Sequence, residues 1–149
     1  MLRTAQFAAI AALLGCAPVI EQSQGDGPGR QSAFFESFPT LLFASIASRC
    51  QADTDRLTRP SQSELICESL PTPEAAAALI LEFDGDVEEL PVLVTTLSAE
   101  EEAGGFAVTT EYYYLVPQRS GEVAEIRFAE PRVQRTIRRA LSAAGGVIR

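Results

Sequence analysis

Four groups of residues in this sequence have types and spacings that could do chemistry. They are the cysteines Cys16, Cys50 and Cys67; the alternating acids Asp84, Asp86, Glu88 and Glu89; the consecutive tyrosines Tyr112, Tyr113 and Tyr114; and the arginines Arg132, Arg135, Arg138 and Arg139. The missing types narrow the chemistry further. The 149 residues include no histidine and no lysine. Imidazole acid–base catalysis, Ser-His-Asp and Cys-His arrangements, histidine metal sites and lysine Schiff bases are therefore excluded.

Alternating carboxylates suit a hard cation such as calcium. The run at 84–89 lacks the EF-hand arrangement, because its glycine is Gly85 and Thr95 stands where the bidentate glutamate belongs. It reads as a solvated acidic turn. Glu100, Glu101 and Glu102, ahead of Gly104 and Gly105, read as a solvated loop whose charge deters edge-to-edge strand association. Paired carboxylates can run glycoside hydrolysis, but in a chain with 20 acids any two are uninformative. The expectation is a protein that is not an enzyme, with no cofactor and no metal site; a small hydrolase is the least favoured reading.

Tyr112, Tyr113 and Tyr114 fall in a strand-like run, where neighbours point to opposite faces. At least one ring must then face outward or toward a loop or helix, and such rings suit protein, peptide or glycan contacts. Packing at a sheet margin is the plainer alternative. Arg132, Arg135, Arg138 and Arg139 suit an acidic envelope partner or lipid phosphates, with pairing to the chain's own acids as the plainer alternative.

The N-terminus carries an address. Arg3 precedes a short apolar run ending in Leu13-Leu14-Gly15-Cys16. The run is too short to cross a bilayer, which takes about 20 residues. The junction resembles the lipobox of bacterial lipoproteins, with Leu14 bulkier than the residue most common there. The resemblance stops at Cys16 and says nothing of the folded part. It implies cleavage after Gly15, a lipid on the Cys16 sulfur and an acylated new amino terminus, together a stable membrane anchor. Ala17 after the cysteine, rather than aspartate, implies the outer membrane by that family's sorting pattern. An ordinary cleaved secretory signal is the alternative.

With Cys16 assigned to lipid, Cys50 and Cys67 remain as an even pair in an oxidising compartment, and a disulfide between them is the expectation. Free buried thiols or a reactive pair are the alternatives. The sequence has no C-x-x-C motif, and two thiolates without histidine do not complete a zinc site. The formal net charge is −8. Segment 82–130 is strongly acidic, while 131–149 holds five arginines and no acid. An acidic chain outside the cytoplasm argues against nucleic acid as a partner.

These residues need elements to position them. The reading is a signal peptide at 1–15, a lipidated cysteine and Gly/Pro-rich tether at 16–31, and one domain at 32–149. From Ser32 the spacing of Phe34, Phe35, Phe38, Leu41, Leu42 and Ile46 predicts a helix, begun or kinked at Pro39. Residues 51–69 read as a connection holding a short helix after a capping box, Ser61 to Glu64. Thr72 and Pro73 open a further helix, and 79–83 either end it or begin a strand. Strands are expected at 91–97, 106–116 and 122–128, and a last helix from Pro131 with Val133, Ile137 and Leu141 inward. The fold class is α+β: N-terminal helices, a three- or four-stranded antiparallel meander, and a C-terminal helix packed on it. The function this supports is a lipid-anchored envelope module that binds or supports an envelope protein. The alternative is a periplasmic carrier of a lipid or small amphiphile, held by Phe34, Phe35, Phe38 and Phe43.

Overall fold

The structure, a computed structural model, describes residues 27–149. The signal peptide, Cys16 and most of the tether lie outside the described residues.

The chain enters as a strand, β1 (Arg30–Phe35), rather than as the helix its phenylalanines predict. Strand alternation sends Phe35 into the core, while its neighbour Phe34 is only half-buried. Pro39 then decides the local conformation. The residue before a proline avoids the helical region, and proline itself tolerates only the first turn. α1 accordingly spans Thr40–Arg49, with the Pro39 carbonyl accepting from the Leu42 and Phe43 amides.

Residues 56–69, read as a connection with a capped helix, form a hairpin instead: β2 (Arg56–Ser61) and β3 (Glu64–Ser69). The Ser61 hydroxyl accepts from the Ser63 amide two residues on, so the serine–glutamate spacing builds a strand turn and not a helix start. β3 lies between β2 and β4, and Leu65 is fully buried, a tertiary gain that a local helix would forfeit. Pro60 is tolerated because β2 is an edge strand with a register irregularity beyond Thr58.

α2 spans Pro73–Glu82, with the Thr72 hydroxyl accepting from the Ala75 amide at 3.3 Å. The ambiguous stretch at 79–83 ends this helix. Asp84 follows at φ 52°, and the Gly85 amide donates to the Ile80 carbonyl. Gly85 is fixed by crowding, since a Cβ there would lie 2.8 Å from the Ile80 Cα.

β4 (Val92–Glu102) and β5 (Gly105–Pro117) form a long hairpin. The acids at 100–102 thus sit within a strand, and only Ala103 and Gly104 make the turn, with Gly104 at φ 87°. β6 (Val123–Ile126), α3 (Pro131–Ala143) and β7 (Val147–Ile148) complete the chain.

The expected three or four strands are in fact seven, in one antiparallel sheet ordered β2-β3-β4-β5-β1-β7. Along one edge, β5 pairs with β1 over its first half and with β6 over its second. The sheet is larger than the sequence predicts because β1, β2 and β3 carry non-strand signals, and β7 is two residues long. Ala33, Phe35, Leu65, Leu97, Ala99 and Val108 share one face and form the core with Leu42 and Phe43 of α1 and Leu141 of α3. The opposite face carries Arg30, Glu68, Thr96, Thr109, Glu111 and Tyr113, as the register requires. Among the described residues no helix is long and apolar enough to cross a membrane.

Candidate functional site

α1 and α3 lie side by side over the sheet without closing on each other. A cleft of about 300 Å³ remains between them. Its walls are Leu42, Ser45, Ile46 and Arg49 from α1 and Thr136, Ile137, Ala140 and Leu141 from α3. Its floor is Cys67, Ser69, Thr95 and Thr110 of β3, β4 and β5. Cys50 and Cys67 are joined, with Cα atoms 5.9 Å apart, so the disulfide expected from the sequence pins the end of α1 to β3.

The hydroxyls around the cleft are not equivalent. Ser45 donates to the Leu42 carbonyl and Thr136 to the Arg132 carbonyl, each at 3.0 Å within its own helix. Thr110 is buried at 4% exposure, and its hydroxyl has no hydrogen-bond partner. Its cross-strand neighbour Gln31 is buried as well, with its side-chain carbonyl oxygen also unpartnered. Unpaired buried polar atoms are costly, so two in adjacent positions, one of them in the floor of the cleft, mark this part of the sheet as unlike ordinary core. The sequence reading expects a helix–sheet cleft for an amphiphile, but around Phe34, Phe35, Phe38 and Phe43, none of which lines this one. Its one available signal was Thr110, a hydroxyl on the inward side of an otherwise apolar alternation.

The tyrosines divide between the two faces. Tyr112 and Tyr114 lie on the helix side, their hydroxyls 2.9 Å apart and their rings edge to face. Tyr114 also meets Phe128, which meets Phe83 at the end of α2. Burial, then the hydrogen bond to Tyr114, pushes the Tyr112 hydroxyl well above the usual tyrosine range. Tyr113 faces the other way, under the Arg127 guanidinium at 4.6 Å from the ring centre. Burial, then the charge of Glu125, raises its hydroxyl, with Arg127 opposing. Arg127 Nη2 donates to Glu111 at 2.9 Å, and Arg30 lies 3.6 Å from the same carboxylate. Burial works against the Arg127 charge, and the hydrogen bonds to Glu125 and Glu111 outweigh it, holding the guanidinium above its ordinary value. These side chains make a paired charge network, and the three tyrosines do not form one contact surface.

Phe34, Phe35, Phe38 and Phe43 do not form the pocket read into them. Phe35 and Phe43 are core, Phe38 stacks on Phe43 at 4.9 Å, and Phe34 lies under the Arg149 guanidinium. Arg149 in turn pairs with Glu102 at the hairpin end.

The arginine cluster sits on α3, which packs against β1 and β7. Its apolar stripe points inward as expected: Leu141 is 1% exposed, with Ile137 and Val133 half-buried. Arg132, Arg135, Arg138 and Arg139 are all exposed. Among the described residues Arg132, Arg135 and Arg139 make no ion pair with the chain's acids, nor does Arg49 at the cleft. In the acidic run Asp84 pairs with Arg119 at 3.5 Å, and Asp86 accepts from the Glu88 amide. Among the described residues no group of three or more Cys, Asp and Glu side chains converges as a metal site would require.

No protein-family model matches the chain, and no curated protein matches it in sequence. The site therefore rests on its own geometry. The chain is a small α+β domain without a metal-binding cluster among its described residues.

Proposed function

We propose that this protein is a lipid-anchored module of the bacterial cell envelope, held through Cys16 in the outer membrane and facing the periplasm, which binds an acidic protein partner without catalysing a reaction. One observation carries the reading: α3 presents Arg132, Arg135 and Arg139 to solvent without acidic partners among the described residues, in a chain whose net charge is −8. Cations that do not serve the fold are free to serve an interface, and arginine is the residue best suited to bidentate carboxylate recognition. The Cys50–Cys67 disulfide supports an oxidising compartment. Site-specific photocrosslinking in intact cells tests the reading. A crosslinker at Arg135 should capture one envelope protein, and the same group at Arg59 on the edge strand β2 should not. Equal capture at both positions, or none at either, refutes it.

A second reading, carriage of a lipid or small amphiphile, has its own observation in the cleft between α1 and α3. It uses different residues from those expected, since Phe34, Phe35 and Phe43 do not line that cleft.

A further inference from the structure

We infer that the cleft between α1 and α3 is a binding site for a single-chain anionic amphiphile of medium length, with the chain between the helices and the head group at Arg49. The inference deepens the carrier reading and does not depend on the arginines of α3 being a partner surface.

Volume sets the size of the ligand. At about 30 Å³ for a water-sized group, a cleft of about 300 Å³ holds roughly ten non-hydrogen atoms. That is a medium-length chain, not a diacyl lipid. Leu42, Ile46, Ile137 and Leu141 supply apolar walls on both sides, which favour a hydrocarbon body.

Charge sets the head group. Among the described residues Arg49 is the one charged side chain lining the cleft, and no carboxylate lines it. Arg49 stands in the last turn of α1, is exposed, and makes no ion pair among the described residues. An anion at the mouth would meet an unspent guanidinium, whereas a cation would meet only repulsion. A neutral chain of equal length would gain the walls alone.

The floor distinguishes this cleft from a packing fault. A packing fault is apolar, and here the buried Thr110 hydroxyl lacks a partner while Ser45 and Thr136 have theirs. The disulfide, whose two cysteines line the cleft, ties the end of α1 to β3, so this wall is fixed by a covalent link as well as by side-chain packing.

Calorimetric titration of the full chain with decanoate, and separately with decanol, tests the inference. Decanoate should bind with one site and a dissociation constant below about 1 mM. Arg49→Gln should weaken decanoate by about tenfold or more and leave decanol within about twofold. Ala140→Phe, at an exposed position lining the cleft, should abolish binding of both. Two results overturn the ligand class and leave the carrier reading standing: decanol binding as tightly as decanoate, or Arg49→Gln leaving decanoate unchanged. Two results overturn both: no binding of either probe, or binding undiminished by Ala140→Phe, which would place the ligand elsewhere on the chain.

Discussion

Thr110 is where a single residue most clearly departs from what folding alone would select. Its hydroxyl is buried beside the Gln31 side chain without a partner. Replacing one unsatisfied buried group by an apolar isostere removes its desolvation cost. Thr110→Val should therefore be neutral or stabilising by up to about 1 kcal/mol in urea denaturation; a loss of 2 kcal/mol or more, on the order of a broken buried network, would show that the hydroxyl is satisfied. Tyr112 gives a pH prediction. Its hydroxyl is raised in the folded chain by burial and by Tyr114, so the folded state holds that proton more tightly than the unfolded one. The contribution is intact below about pH 10, the ordinary tyrosine value, and is lost as the unfolded chain ionises above it. Stability should fall as pH rises through this range, and Tyr112→Phe should flatten the fall. An unchanged alkaline slope in Tyr112→Phe would mean that the hydroxyl pair does not hold the proton. Cys16 lies outside the described residues, and its lipidation is read from the sequence alone. Labelled palmitate should enter the wild type and not Cys16→Ser, and equal labelling would remove the anchor from the account.

At the scale of elements, α3 separates what folds from what is displayed. Leu141 is its fully buried side chain, so Leu141→Ala should cost about 3–5 kcal/mol. Ile137 lies half-buried at the cleft, so its truncation should cost less than that of Leu141. Reversing Arg135 and Arg139, which are exposed and without ion pairs among the described residues, should change stability by less than about 1 kcal/mol. Thermal melts of these variants at low and high salt decide the matter; unfolding by the reversals, or a silent Leu141→Ala, would mean that α3 faces the other way. The disulfide belongs to the same scale. It closes a loop of sequence separation 17 between α1 and β3, and replacing both cysteines with serine should cost about 3 kcal/mol in the chain-entropy model.

Across the whole molecule, the C-terminal half was legible in the sequence and the N-terminal half much less so. The strands around 91–126 alternate clearly, and Pro131 and Thr72 mark their helices with chemistry that survives folding. The errors fall where a local signal met a tertiary one. The phenylalanines of β1 mimic a helical stripe because Phe34 and Phe35 are adjacent, yet pairing of β1 with both β5 and β7 outweighs it. The serine–glutamate spacing at 61–64 mimics a helix cap and instead turns a hairpin. The lining of the cleft was illegible because it lies between two elements, and its floor residues come from three strands that no sequence window brings together. The arginines of α3 were legible as residues, but not that Arg132, Arg135 and Arg139 make no ion pair among the described residues, because the tertiary fold decides which acids meet which arginines: Glu111, Asp84, Glu102 and Glu68 pair with Arg127, Arg119, Arg149 and Arg56. That arrangement, with Arg132, Arg135 and Arg139 exposed on a helix and without ion pairs among the described residues, is the basis for reading the protein as a binding module. The most direct test is the size of the assembly released from native envelopes by mild detergent, comparing the wild type with Arg135→Glu/Arg139→Glu. The wild type should migrate in a complex larger than the single lipid-anchored chain, and the reversed variant should be equally folded and migrate as that single chain. Identical migration of the two proteins would contradict this reading.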